Sequence, residues 1–73
     1  MKFAVIYETG PGGGYSAYAP DLPGCVAAAR TLEETRELME EAVEFHLEGM
    51  RLHGESVPEP SSLAEMLEVR HAA

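Results

Sequence analysis

The chain has 73 residues, a formal net charge of −8 and a single cysteine. A chain this short forms one domain at most and buries only about 60% of the surface that its unfolded form exposes. One cysteine excludes an intrachain disulfide and is typical of a reducing compartment. The acidic balance argues against a nucleic-acid partner, since binding to phosphates needs clustered Lys and Arg. We therefore expect self-association, as a homodimer or larger, to supply part of the stability.

The N-terminus gives no sign of targeting. Residues 1–7 contain one lysine and an apolar run that is too brief for the core of a signal peptide. No apolar run approaches the roughly 20 residues that a membrane-spanning helix requires. We expect a soluble, cytoplasmic protein with no membrane partner.

The first predicted strand covers residues 2–8, which alternate and place Phe3, Val5 and Tyr7 on one side. Residues 10–14 (Gly-Pro-Gly-Gly-Gly) predict a loose hairpin connection. A phosphate-binding loop would need a lysine and then a helix after the glycines. Here a second strand follows, so the sequence favours a hairpin over a nucleotide site.

Two more strands are predicted on either side of a tight turn. Residues 15–19 form the second strand, which ends at Pro20 because proline cannot donate to the ladder. Residues 21–24 (Asp-Leu-Pro-Gly) predict a turn, since Asp favours turn initiation, Pro fixes φ and Gly supplies a positive φ. Residues 25–30 return as the third strand. Sequential strands of this kind favour an antiparallel meander.

One long helix is predicted over residues 32–53. Thr31 and Glu34 fit a capping box, in which the threonine is the N-cap and the glutamate reaches back. Gly54 suits the position just after the helix, and Pro58 lies beyond it. At 1.5 Å per residue, this helix would be about 33 Å long.

The predicted helix has two distinct sides when its residues are placed at 100° steps. All seven glutamates between positions 33 and 48 fall in one arc of about 120°. The opposite arc, about 160° wide, holds Leu32, Leu38, Met39, Ala42, Val43, Phe45, Gly49 and Met50. That arc is broad for one helix on one small sheet. We therefore predict that part of it contacts a second copy, through Met39, Val43, His46 and Met50.

Two features leave alternatives open. The acidic arc suits either a solvated surface or a surface that steers a basic partner. After a Pro/Ser-rich connector, the tail from Leu63 fits a short helix capped by Ser62, but the alternation of Leu67 and Val69 also fits a short strand.

The sequence contains little sign of catalytic chemistry. His46 and His53 are seven residues apart, about 10 Å along a helix, which is too far to share one metal ion. Cys25 follows a turn, but nothing near it in the sequence would activate a thiol. We expect no catalytic residues, no metal and no cofactor. A small hydrolase that uses Cys25 or a His-bound metal is the competing hypothesis.

Several motifs together resemble one known family. Residues 14–26 contain an aromatic residue, an alanine and then Pro-Asp-Leu-Pro-Gly-Cys, and residues 31–34 open a threonine-capped helix with Leu-Glu-Glu. Residues 58–60 add a Pro-x-Pro element. In order and spacing, these motifs resemble the HicB-type antitoxin family over nearly the whole chain.

The resemblance implies an α+β fold of the order β-β-β-α-β, which is a partial ribonuclease-H-like arrangement with a short last strand near residues 66–70. It also implies that the domain binds and masks HicA, a small basic RNA-cleaving toxin. We assign toxin binding to Asp21, Glu33, Glu34, Glu37 and Glu41.

Two departures from the family's usual pattern bear on this assignment. We expect residues 1–73 to form a single HicB-like domain with no separate DNA-binding domain. Residues 28–30 (Ala-Ala-Arg) stand where family members commonly have a Gly and a polar or acidic residue. The alternative is therefore an orphan, oligomeric protein-binding module of the same fold without a toxin partner.

Overall fold

The fold is an antiparallel three-stranded sheet covered by one long helix. The computed structural model describes residues 1–71. Its elements are β1 (Ile6–Thr9), β2 (Tyr15–Tyr18), β3 (Val26–Ala29) and α1 (Leu32–Leu52). The strands lie in the order β1-β2-β3, and both neighbouring pairs are antiparallel. The predicted α+β class, the meander and the long helix are confirmed.

The glycine-rich connection between β1 and β2 closes a hairpin. The Gly10 amide donates to the Gly14 carbonyl at 2.8 Å, and the Gly13 amide donates to the Gly10 carbonyl at 3.1 Å. Gly13 has φ of 87°, a conformation in which a side chain would be strained. The register that follows puts Tyr18 opposite Ile6 on one side and opposite Val26 on the other.

The turn between β2 and β3 contributes to the core as well as reversing the chain. The Leu22 amide donates to the Ala19 carbonyl and the Cys25 amide to the Leu22 carbonyl, both at 3.0 Å. Gly24 has φ of 84°, as the predicted turn requires. These two consecutive turns direct the Leu22 side chain inward, where it is fully buried.

Small side chains on the sheet let α1 pack closely over β2 and β3. The core consists of Ala17, Ala19, Leu22, Cys25 and Met39. Apolar side chains at its margin are half-buried and come from β1, its preceding residues, β3 and the helix: Phe3, Val5, Tyr7, Ala27, Ala42, Val43 and Leu47.

Both ends of α1 are capped as predicted. The Glu34 amide donates to Thr31 Oγ1 at 3.1 Å, and that hydroxyl donates to Glu34 Oε1 at 2.9 Å. At the other end, the Gly54 amide donates to the Arg51 carbonyl and the Glu55 amide to the Met50 carbonyl, at 3.1 and 2.8 Å. This pair of bonds is a Schellman motif, for which Gly54 supplies the φ of 69°.

The C-terminal strand predicted near residues 66–70 is not confirmed, and neither is the ribonuclease-H-like arrangement that it would complete. Residues 55–71 contain no helix or strand. A strand needs a ladder of backbone hydrogen bonds to a neighbour. Residues 62–66 run beside residues 2–7, but across small crevices rather than in a ladder. The apolar side chains of this tail are exposed, including Leu63, Met66, Leu67 and Val69.

Candidate binding surfaces

The side of α1 that faces the sheet is set by its buried residues. Thr35 and Met39 are the two helical residues that are fully buried, and Thr35 satisfies its hydroxyl by donating to the Thr31 carbonyl at 2.8 Å. Ala42, Val43 and Leu47 pack around the same core. The rest of the helix surface is divided between an acidic face and an apolar flank.

The acidic face is the solvent side of the helix and is defined here by Glu33, Glu37, Glu40 and Glu44. All four side chains are exposed. Of the predicted toxin-binding glutamates, Glu33 and Glu37 belong to this face, and Glu34 and Glu41 lie beside it and are also exposed. The only ion pair within residues 1–71 joins Glu48 to Arg51 at 3.4 Å, so the acidic face carries uncompensated negative charge.

An apolar groove runs along the helix beside this face. It has a volume of about 400 Å³ and is open to solvent between α1 and the β1 side of the sheet. Its apolar wall on the sheet side is formed by Phe3, Val5 and Tyr7. Its helical wall includes Val43 and Leu47, and Glu40 and Glu44 of the acidic face form its rim. The groove exists because α1 packs over β2 and β3 and leaves β1 partly uncovered.

A positively charged side chain, Arg36, contacts Tyr7 of the groove. The Arg36 guanidinium lies over the Tyr7 ring, with its carbon 6.0 Å from the ring centroid. This distance is at the outer limit of a cation–π contact. The Tyr7 ring therefore presents one face to a cation of the chain itself.

Asp21 has a different role from the helical glutamates. Its Oδ2 accepts from the Ser61 and Ser62 amides, each at 2.9 Å, and its Oδ1 accepts from the Ser61 and Ser62 hydroxyls at 3.1 and 2.7 Å. The amide of Ser62 contributes most to lowering the pKa of Asp21 to about 2, followed by the Ser61 amide. The carboxylate that we assigned to toxin binding thus holds the beginning of the tail.

The residues assigned to a second-copy interface do not form a free surface. Met39 is 1% exposed and belongs to the core, which corrects its placement at an interface. Val43, His46 and Met50 are half-buried on the side of the helix that turns toward the sheet. The exposed apolar side chains of α1 are instead Leu38, Phe45 and Leu52. The wide apolar arc could not show which of its edges the sheet would cover.

The groups considered for catalysis or metal binding are the Cys25 thiol, His46 and His53. Burial raises the pKa of the Cys25 thiol, which is 3% exposed, and so disfavours the reactive thiolate. Within residues 1–71, no three His, Cys, Asp or Glu side chains come together in a way that could hold a metal ion. In the same part of the chain, no helix is both long and apolar enough to cross a membrane.

These observations define a small α+β domain with an acidic helix face beside an apolar groove. The model of the family described as "HicB_like antitoxin of bacterial toxin-antitoxin system" matches residues 3–72. The chain belongs to the HicB-like antitoxin family. The resemblance drawn from the Pro-Asp-Leu-Pro-Gly-Cys turn and the capped helix is confirmed.

Relatives come from an archaeon, a cyanobacterium and a phage. A UPF0150 protein of Archaeoglobus fulgidus is 44% identical over 48 residues, which cover 66% of this chain and 70% of the relative. A UPF0150 protein of Synechocystis is 30% identical over 68 residues, covering 93% and 86%. A 14.9 kDa protein from the rep-hol intergenic region of Haemophilus phage HP1 is 37% identical over 54 residues. That match covers 74% of this chain and 41% of the phage protein.

Proposed function

We propose that this domain binds a small basic RNA-cleaving toxin of the HicA type and masks it, with the acidic face of α1 and the adjoining groove as its contact surface. Membership of the antitoxin family supports a toxin as the kind of partner. The net charge of −8 supports a basic one. The single observation that carries the proposal is that exposed carboxylates of α1 adjoin an apolar groove between the helix and the sheet.

The acidic face and the groove would contribute to binding in different ways. Exposed carboxylates on one side of a helix attract a basic protein over a distance and raise its association rate. Exposed charge pairs add little affinity, so the apolar groove would supply the anchoring contact. Glu40 and Glu44 belong to both parts, because they lie on the acidic face and form the rim of the groove. A lysine- or arginine-bearing segment with one apolar side chain fits this combination.

The Asp21 carboxylate enters the proposal only indirectly. Its oxygens already accept four hydrogen bonds from Ser61 and Ser62. Glu33, Glu34, Glu37 and Glu41 remain as direct toxin contacts in the proposal, and Glu40 and Glu44 join them.

An inhibition assay tests this function. The toxin would be the small basic protein encoded beside this chain, and its cleavage of RNA would be followed while the antitoxin is titrated. We expect inhibition that saturates at a fixed stoichiometry. Replacing Glu33, Glu37, Glu40 and Glu44 by Gln should weaken binding roughly 30-fold, at about 0.5 kcal/mol for each exposed charge. The dependence of binding on salt should flatten in parallel.

The tail offers a matched control. Replacing Glu55, Glu59, Glu65 and Glu68 by Gln removes the same number of charges from exposed positions outside α1. This variant should inhibit the toxin nearly as well as the original chain. Equal losses in the two variants would mean that net charge alone drives binding, and no inhibition by the unmodified chain would reject the toxin assignment.

A further inference from the structure

One edge of the sheet is open along β1. This strand is an outer one, because the strand order is β1-β2-β3. Hydrogen bonds between antiparallel strands form at alternate residues, and the Gly10 amide bonds to the Gly14 carbonyl, so the even-numbered residues of β1 face β2. Tyr7 and Thr9 therefore point their N–H and C=O groups outward. Within residues 1–71, no backbone hydrogen bond reaches these outward groups.

The segment before β1 extends the same edge. Phe3 and Val5 continue the alternation, because they line the groove on the same side as Tyr7. Residues 2–5 take part in no backbone hydrogen bond in the described chain, although residues 3–5 are half-buried. Main-chain groups in such positions are ordinarily paired. An unpaired edge of this length is a template for another strand.

The tail lies beside this edge without pairing with it. Two crevices, of about 330 and 240 Å³, separate residues 62–66 from residues 2–7. Leu63 is 88% exposed and Met66 is 99% exposed, so neither side chain packs on the sheet. The groove is lined by α1 and by residues before β2, without a contribution from the described tail. Moving residues 63–66 aside would therefore break no backbone hydrogen bond, and the Asp21 anchor could stay in place.

The groove can receive side chains from an added strand. Directly opposite residues of neighbouring strands point to the same face of a sheet. Residues of an added strand opposite Phe3, Val5 and Tyr7 would point toward α1 and enter the groove. Recognition by strand addition combines main-chain hydrogen bonds, which give affinity, with pockets for alternate side chains, which give specificity. The β1 edge offers both, whereas β3, the other outer strand, lies directly under α1.

We propose that the toxin donates an extended segment to the outer edge of residues 3–9, where the segment pairs as a fourth strand of the sheet. This inference rests on the proposed function, because it specifies how the same toxin is bound. Apolar side chains of the segment enter the groove. A lysine or arginine among its groove-facing residues reaches the carboxylates of Glu40 and Glu44 at the rim. The paired part contains no proline, which could not donate to the ladder.

Amide hydrogen exchange gives the first test. In the chain alone, the outward amides of Val5 and Tyr7 should exchange much faster than those of Ile6 and Glu8, which face β2. Saturation with the small basic protein encoded beside this chain should slow exchange at Val5 and Tyr7 at least about 10-fold. Unchanged exchange in the complex would overturn the proposal. Protection of both amides in the chain alone would also overturn it, because the tail or a second copy would then occupy the edge.

Methylation of single backbone amides gives the second test. The chain can be assembled by chemical ligation of residues 1–24 to residues 25–73, because the second piece begins with Cys25. A methyl group on the Tyr7 nitrogen removes an outward donor and blocks the approach of a strand, while the side chain and the β1–β2 ladder are kept. Toxin binding should weaken at least about 10-fold. The matched control is methylation of the Ala28 nitrogen, which the same alternation points outward from β3. That variant should bind like the unmodified chain.

The outcomes separate this inference from the function on which it rests. Circular dichroism should show that both methylated chains keep the helix. If the Tyr7 variant binds the toxin as tightly as the Ala28 variant, the added strand is rejected while toxin binding stands. If the unmodified chain does not bind the toxin, both proposals fail. If the Tyr7 variant does not fold, hydrogen exchange in the unmodified chain decides.

Discussion

The segment from β2 to the end of α1 and the tail after it are held in different ways. The first segment contains the whole buried core, two consecutive turns and a helix capped at both ends. The tail, residues 55–71, has exposed side chains over most of its length and is attached through the Asp21 carboxylate. Stability in this small domain thus comes from contacts made before residue 55, and the tail adds a single polar anchor.

The two segments also differ in whether their structure depends on nearby or on distant residues of the sequence. The segment from β2 to α1 is built from local rules: alternation, turn residues and caps act within a few positions of each other. The tail is positioned by serines that lie 40 and 41 residues from their aspartate. Substitutions that disturb one segment should therefore leave the other largely unaffected, which the following predictions test.

Met39→Ala should have the largest effect on stability. Met39 is fully buried between α1 and the sheet, and its truncation leaves a cavity in a core of only five residues. We expect the free energy of unfolding to fall by about 2–5 kcal/mol. Urea denaturation followed by circular dichroism measures it. Leu67→Ala, at an 85% exposed position of the tail, should stay within about 0.5 kcal/mol of the original chain.

Gly24→Ala should have a smaller effect on the same measurement. Gly24 has φ of 84°, and an alanine must either adopt that left-handed conformation or distort the turn. The expected loss is about 1–2 kcal/mol. Gly12→Ala is the control, because Gly12 has no positive φ and a Cβ there meets nothing within 4 Å. A loss at Gly12 as large as at Gly24 would show that the turn geometry is not the cause.

Asp21→Asn should change global unfolding least while releasing the tail. The charged form of Asp21 accepts hydrogen bonds from both Ser61 and Ser62, and the amide substitution removes the charge and half of the acceptor capacity. We expect the amides of Ser61 and Ser62 to lose protection from hydrogen exchange. The amides of β2 and the middle of α1 should keep theirs. If amides throughout the chain lost protection equally, Asp21 would instead be stabilising the whole domain rather than the tail alone.

The attachment of the tail should depend on pH, because it requires the charged form of the Asp21 carboxyl. Its pKa falls from 3.8 to about 2 in the folded chain, so its contribution is complete above about pH 4. The contribution is lost as the pH falls through about 2, because protonation removes the acceptor. A carbon-detected NMR titration of the Asp21 carboxyl should show this low midpoint. A midpoint near 3.8 would contradict the anchoring of the tail.

The sequence predicts β2, β3, the turn, the N-cap and the helix to within one residue, because each depends on neighbouring residues. The first strand is expected over residues 2–8 but covers Ile6–Thr9, because pairing with β2 begins only at Ile6, opposite Tyr18. The sequence predicts a helix over residues 32–53, and α1 covers Leu32–Leu52. Periodicity also separated the acidic side of the helix from the apolar side. It could not locate the sheet within an apolar arc of about 160°. Periodicity alone therefore places Met39 at an interface, whereas Met39 is buried in the core and Phe45 in the same arc is exposed.

The tail could not be predicted by the same rules. Alternation at Leu67 and Val69 fits a strand, but a strand forms only where a neighbour offers a ladder, and this is a property of the whole fold. The pairing of Asp21 with Ser61 and Ser62 had no local signal at all. The groove likewise depends on how far α1 extends across the sheet.

The most direct test of the central claim, that the acidic face and groove bind a basic toxin, is to map the contact by NMR. The toxin would be added to isotope-labelled chain and the backbone amide shifts followed. We expect the largest changes along the Glu33 to Glu44 side of α1 and at Val5 and Tyr7 of the groove, with small changes at Leu67 and Val69. Changes confined to the tail, or no changes at stoichiometric toxin, would contradict the account.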